Sequence, residues 1–282
     1  MCRRHKLKAD TVMSYENIIY ELSDRIATVT LNRPDAMNAT TDGLYGELQD
    51  LIPRLRNDPE VACVILTGAG RGFCAGADLK NRRTDLTPLQ LSARHRWILQ
   101  EIMEPLYRLE KPVIAAVNGA AAGAGANIPL ACDFVIASDK ASFTQSFAKV
   151  GLVPDFGGLY FLQRAVGLAR AKELAFTARK VEAAEALEIG LVNKVVPHDE
   201  LMAEARAMAA LIVQNAPTAV AMAKTLLNKS EYATFDQMIE YEIFGQTVAF
   251  ITPDYMEGVM AFREKRKPVF TSGPAQTDQS WR

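Results

Sequence analysis

One carboxylate and two turns of small residues are the parts of this chain best suited to chemistry. The carboxylate is Asp155, in the loop GLVPDFGG (151–158). The first turn, GAAAGAGAN at Gly119–Asn127, follows the apolar run Val113–Val117. Small residues let a backbone approach a ligand closely. The first N–H groups of the helix that follows lack internal partners, and its dipole favours negative charge. Such a turn can hold an anion or a developing oxyanion; tight helix–strand packing asks for the same residues. Its glycines, at 119, 123 and 125, do not have the GxGxxG spacing of a nucleotide site. The second turn, GRGFCAGADLK at Gly70–Lys80, follows the apolar run Val61–Thr67. Ligands gather at the C-terminal edge of a parallel sheet. Two such turns side by side would offer one N–H each to one oxygen, each worth about 2.7–4 kcal/mol on a barrier. Asp155 beside them would move a proton, although Pro-Asp before glycine is also ordinary turn chemistry.

The elements that must position these residues alternate in type. Ile18–Leu22 and Ile26–Leu31, split by Ser23-Asp24, predict a hairpin. Thr40–Leu55 has apolar residues at helical spacing, and Val61–Thr67 reads as a strand buried on both faces. A helical pattern over Thr87–Leu109 ends at Lys111-Pro112; Val113–Val117 and Phe134–Ala137 are further buried strands, with a helix over Gly123–Leu130 between them. This alternation implies right-handed β-α crossovers and mainly parallel sheets, an α/β fold. Short helices are expected over Leu159–Val166, Ala169–Ala178 and Ala183–Ile189, then a late strand over Leu191–Val196. From His198 to Arg266 the chain is helical almost throughout and apolar on several faces, the mark of a segment that packs against more than its own core. The expected organisation is a tail over 1–13, a core with the site over 14–197, a helical oligomerisation region over 198–270 and a tail over 271–282.

Composition narrows the function. The chain has 282 residues, 49% hydrophobic, with a formal net charge of -1, so no basic nucleic-acid footprint is expected. Four cysteines without a CxxC pair argue against a zinc site or a disulfide framework and point to a reducing, cytoplasmic setting. No apolar run approaches a membrane span, and the basic start lacks an apolar core of signal-peptide type.

The strings NRPDAMNA, GRGFCAGADLK, KPVIAAVNGAAAGAGANIPLACDFVIAS, GLVPDFGG and AFREKRKPVF resemble the enoyl-CoA hydratase/isomerase (crotonase) superfamily, over roughly Tyr15 to Phe270. The resemblance implies a crotonase spiral of ββα units with a helical C-terminal trimerisation region. It implies an acyl-CoA thioester substrate, a homotrimer or dimer of trimers, and no redox cofactor or metal. It puts the oxyanion hole on the backbone N–H groups of Ala75 and Ala124.

The departures from the family bear on the reaction. Hydratases of the family carry two glutamates; here their positions hold Asn127 and Phe147, neither of which titrates. Asp155 remains, at the position where several isomerases of the family keep their carboxylate. The run S-F-x-K-x-G-L-x-P-D followed by GG is similar to the 1,2-epoxyphenylacetyl-CoA isomerase and Δ3-Δ2-enoyl-CoA isomerase branch. One carboxylate suffices for a 1,3-proton shift, and burial beside Phe147, Phe156 and Val153 would raise its pKa usefully. The dehalogenases of the family need a tryptophan at Phe147 and a histidine at Gln100, and have neither match here. A double-bond isomerase is therefore expected. A hydratase or acyl-CoA hydrolase of the same family is the alternative, and a non-catalytic acyl-CoA-binding subunit is the alternative of another class.

Around Asp155 the acyl pocket is expected to include Asn127, Phe147 and Phe156, with Trp97 and Phe161 as further aromatic residues, whereas a lone histidine in a helix, such as His95, is more often a surface or packing residue than a pocket one. Coenzyme A contacts are implied for Arg33, Ala77, Asp78 and Leu79, and for the basic cluster Lys265, Arg266 and Lys267. That cluster is equally a solvated helix end favoured by the dipole, and Asp78 equally a residue that stabilises its own turn.

Overall fold

A computed structural model describes residues 15–80 and 85–270. Both expected tails, and residues 81–84 ahead of the helical pattern at Thr87–Leu109, lie outside the described residues. The hairpin is β1 (Ile18–Ser23) and β2 (Ile26–Leu31), antiparallel, with Asp24 and Arg25 turning at φ 53° and 64°. Then come α1 (Asp42–Asn57), β3 (Cys63–Gly68), β4 (Gly72–Cys74) and α2 (Pro88–Ile98). A π-helical turn over Leu99–Met103 leads into α3 (Glu104–Tyr107). Next are β5 (Val113–Val117), β6 (Ala120–Ala122), α4 (Ala124–Asn127), β7 (Phe134–Ser138) and β8 (Ser142–Thr144). The chain continues through α5 (Gly158–Val166), α6 (Leu168–Thr177), β9 (Lys180–Glu182), α7 (Ala183–Glu188) and β10 (Lys194–Val196). It closes with α8 (Leu201–Val213), α9 (Pro217–Ser230), α10 (Phe235–Phe250) and α11 (Pro253–Glu264).

Two sheets carry the site. The larger runs β1-β2-β3-β5-β7-β10, parallel from β2 onward; the smaller runs β4-β6-β8-β9. A repeating step joins them. A long strand of the first sheet ends in a tight turn, a three-residue strand enters the second sheet, and a helix returns. β3-β4-α2, β5-β6-α4 and β7-β8-α5 are three such steps, the expected spiral of ββα units. The short strands of the second sheet are not visible in the sequence pattern, because three residues carry no periodicity.

Buried asparagines hold the turns. Asn118 accepts from Gly68 N–H (3.2 Å) and donates to the carbonyls of Gly70 (2.9 Å) and Gly72 (3.2 Å). Asn38, fully buried at φ 55°, donates to the Ala69 and Gly72 carbonyls at 2.9 and 2.8 Å. Unpaired carbonyls at those depths would each cost about 1–3 kcal/mol, so both asparagines stabilise the loop that the site is built on.

One core lies between the large sheet and α1, the helical stretch 98–109 and α5–α7. The opposite face of the sheet is covered by α8, whose Leu201, Ala205 and Ala209 pack on Ile65, Ile114 and Ile136. Of the helical region expected over 198–270, α8 packs with the core, because it buries the sheet's second face. The expected helix over Gly123–Leu130 is one turn of α4 followed by a 3-10 turn at Pro129–Ala131, where proline removes a backbone donor. Beyond α8, α10 has no buried residue, and Phe235 and Phe244 are 78% and 67% exposed. No helix among the described residues is long and apolar enough to cross a membrane.

Candidate active site

A cavity of about 330 Å³ opens where the C-terminal ends of β4 and β6 meet α2 and the 146–156 loop. Its wall includes Thr40, Tyr45, Ala75–Leu79, Leu91, Arg94, His95, Gly123, Ala124, Phe147, Asp155 and Phe156. The two small-residue turns touch there. A Cβ on Gly125 would lie 2.1 Å from the Cys74 carbonyl oxygen, so α4 can rest on the end of β4 only without a side chain. A Cβ on Gly76, which turns at φ 83°, would lie 2.6 Å from the Ala122 oxygen and 3.4 Å from the Ala124 nitrogen. Ala124 is the first residue of α4, so no helical carbonyl takes its N–H.

The expected donor on the other turn, Ala75, has its N–H committed elsewhere. Ala75 N–H donates to the Met37 carbonyl at 2.9 Å and is spent inside the loop. Thr40 and Ala77, by contrast, form a parallel bridge. In it, Thr40 N–H donates to the Gly76 carbonyl (2.7 Å) and Asp78 N–H to the Thr40 carbonyl (3.0 Å). The residue between those two contacts turns its own N–H away from the partner strand, and Ala77 lines the cavity. The N–H groups of Ala77 and Ala124 thus lie outside the backbone bonds of the two turns, and both residues line the cavity.

Asp155 is half-buried on this wall, between Pro154 and a backbone that runs left-handed through Phe156 (φ 52°) and Gly157 (φ 76°). Phe147 and Phe156 are buried beside it, as expected; Val153 is 73% exposed and adds nothing to the enclosure. Tyr45, which the sequence pattern offered only as a residue of the helix, lies on the wall too. Its hydroxyl donates to Thr40 Oγ1 at 2.9 Å. Burial pushes its phenol up to about 12, and the negative charge of Asp155 adds to the shift.

Asn127 does not reach the cavity. It is fully buried and faces the other way: Nδ2 donates to the backbone carbonyl of Asp155 (2.8 Å), and Oδ1 accepts from Gln145 Nε2 (2.8 Å). Its expected place in the acyl pocket is corrected on that ground. Trp97 and Phe161 are also absent from the wall. Trp97 meets the edge of Tyr45, and Phe161 packs on Tyr107 and Tyr160. His95 does line the cavity, with Nδ1 2.8 Å from the Leu91 carbonyl, so Nδ1 carries a proton.

Two further acids of the wall form ion pairs. Asp42 pairs with Arg94 (2.5 Å), tying α1 to α2 across the opening. Asp78 pairs with Arg33 (3.2 Å) and accepts from Lys80 N–H (3.2 Å). Arg33 also donates to the Ala39 carbonyl (2.6 Å) and is not on the wall, whereas Ala77, Asp78 and Leu79 are. Lys265, Arg266 and Lys267 are exposed at the end of α11, away from this wall. Arg266 is held there by Glu257 and Glu264, both at 2.6 Å.

The family model described as enoyl-CoA hydratase/isomerase matches residues 21–273. A short-chain-enoyl-CoA hydratase from Clostridium acetobutylicum is 44% identical to this chain, over 90% of this chain and 97% of its own length. A 1,2-epoxyphenylacetyl-CoA isomerase from Escherichia coli is 38% identical, over 91% and 98%. The crystal structure of an enoyl-CoA hydratase from Bacillus anthracis superposes with a TM-score of 0.86 at 36% identity, over 91% of this chain and 99% of that one.

Proposed function

Because the chain belongs to the enoyl-CoA hydratase/isomerase family, we propose that it is an acyl-CoA isomerase that shifts a double bond along an unsaturated acyl chain. In this reading the thioester carbonyl oxygen rests on the N–H groups of Ala77 and Ala124. Asp155 takes a proton from the α- or γ-carbon, the negative charge moves to the carbonyl oxygen as an enolate, and the same carboxylic acid returns the proton at the other carbon. Two donors aimed at that oxygen would lower the barrier by about 2.7–4 kcal/mol each, and the proton transfer by a further factor of about 10²–10⁴.

One observation carries the reading. At the two positions where hydratases of the family keep glutamates, Phe147 is an apolar side chain on the wall and Asn127 is turned into the interior. Asp155, on the same wall and at the position where several isomerases of the family keep their carboxylate, is the group this reading assigns to the proton. The thioester arm would leave along Ala77–Leu79, and the exposed apolar faces of α9–α11 would meet further copies in a trimer.

Hydration is the second reading, favoured by the name of the 44%-identical relative. The two are separated in 18O-water with a 3-enoyl-CoA and a 2-enoyl-CoA. An isomerase interconverts them and incorporates no oxygen. Stoichiometric 18O in a 3-hydroxyacyl product would establish the hydratase instead, and binding of both substrates with conversion of neither would leave a binding subunit.

A further inference from the structure

We propose that Asn127 is a positioning residue for the reaction: its side-chain amide holds the Asp155 backbone, and through it the carboxylate, in register with the carbonyl site. The inference rests on Asp155 being the proton carrier. The Asp155 carbonyl oxygen accepts two hydrogen bonds, from Asn127 Nδ2 at 2.8 Å and from Gly158 N–H at 2.9 Å. A carbonyl can only accept, so the amide of Asn127 has one allowed orientation, with Nδ2 toward Asp155. Its Oδ1 then faces Gln145, which donates from Nε2 at 2.8 Å. The direction of each bond in this buried chain follows from the one before it.

The chain joins the two halves of the site. Asn127 ends α4, the helix whose first N–H, on Ala124, faces the cavity. A link from the end of that helix to the Asp155 carbonyl sets the distance between the oxyanion donor and the base. The packing leaves no slack: a Cβ on Gly158 would lie 2.2 Å from Asn127 Nδ2. The link also matters because the backbone after Asp155 is left-handed at Phe156, a conformation that a bulky residue leaves unless it is held.

The test compares Asn127→Asp, Gln145→Met and their double variant, with Asp155→Asn measured alongside. An aspartate at 127 keeps the outline of the residue and still accepts from Gln145, but offers no N–H to Asp155. Methionine at 145 leaves Asn127 in place without its orienting donor. Displacement of a reacting group by about 1 Å costs on the order of 10²-fold. Asn127→Asp is therefore expected to lower kcat by about 10- to 100-fold, with KM and the Kd of a saturated acyl-CoA unchanged. Gln145→Met should lose less, and the double variant no more than Asn127→Asp alone, because both act through one donor. Wild-type kcat in a folded Asn127→Asp, a KM that rises in step with the loss, or additive losses in the double variant would overturn the proposal. If Asp155→Asn remains active, the reading of Asp155 fails and this inference with it; if Asp155→Asn is inactive while Asn127→Asp is not, only this inference fails.

Discussion

The ring of Tyr45 lies on the ring of Phe156, with centroids 6.3 Å apart and planes 19° apart. Phe156 follows Asp155 directly and has a left-handed backbone, which costs roughly 1–3 kcal/mol in a residue of its size. Burying the ring contributes about 1.5–3 kcal/mol, and the stacked pair about 0.5–1.5 kcal/mol more. The balance favours the observed loop, by a margin that depends on Tyr45. Tyr45→Phe keeps the stack and loses the bond to Thr40, so it should cost about 1 kcal/mol in urea unfolding and leave turnover close to wild type. Tyr45→Ala should cost about 3–5 kcal/mol, the range for truncating a buried aromatic, and lower kcat as the loop relaxes. Unchanged kcat in a folded Tyr45→Ala would show that Phe156 needs no such support.

Asp155→Asn keeps the size of the side chain and removes its ability to take a proton. Turnover should fall by at least the 10²–10⁴-fold of general acid–base catalysis. Isothermal titration with a saturated acyl-CoA should give a Kd within a few-fold of wild type, since the N–H groups of Ala77 and Ala124 are untouched. A loss of binding in proportion to activity would make Asp155 a ligand contact, not a base.

Gly125→Ala tests the contact between the two turns. Alanine improves helix propensity by about 1 kcal/mol, but its Cβ would meet the Cys74 carbonyl at 2.1 Å, and backbone cannot swing aside. Overpacking of this kind costs about 1–3 kcal/mol or more, so the variant should be less stable despite its better helix former. Because α4 must lift to relieve the clash, Ala124 N–H moves away from Ala77. The expected result is a fall in kcat larger than the stability loss explains; a stable and fully active Gly125→Ala would contradict the arrangement of the hole.

Lys111 supplies a pH signature apart from the site. It is 4% exposed, donates to the Asp58 carbonyl, and is lowered by burial from 10.5 to about 8. Below pH 8 the folded and unfolded chains both carry the proton, and the fold bears the full cost of the buried charge. Between about pH 8 and 10.5 the folded chain has released the proton while the unfolded chain still holds it, so this group's contribution to stability rises with pH. Urea unfolding of wild type and Lys111→Met at pH 7 and pH 10 should show wild type gaining on the variant at the higher pH. A gap that stays constant would mean that Lys111 keeps its ordinary pKa.

Much of this was legible in the residues. Val113–Val117 is buried at every position, and its extent as a strand follows from five apolar residues between Pro112 and Asn118. The glycines of the two turns and the Pro-Asp-Phe-Gly-Gly loop marked the places where backbone must approach backbone. The identities of residues 127, 147 and 155 were enough to separate this chain from the two-glutamate pattern, because side-chain chemistry does not depend on the fold. What the tertiary structure alone decided was how backbone and amide groups are spent. Ala75 and Ala77 are equivalent in a sequence; the Met37 carbonyl takes the N–H of one, and the bridge to Thr40 turns that of the other toward the cavity. Asn127 reads as a vacancy where a carboxylate is missing, yet its bonds to Asp155 and Gln145 make it part of the loop's support. Local pattern reports which groups a residue carries. Which partner each group finds is settled by segments distant in the chain, and only packing brings them within 3 Å.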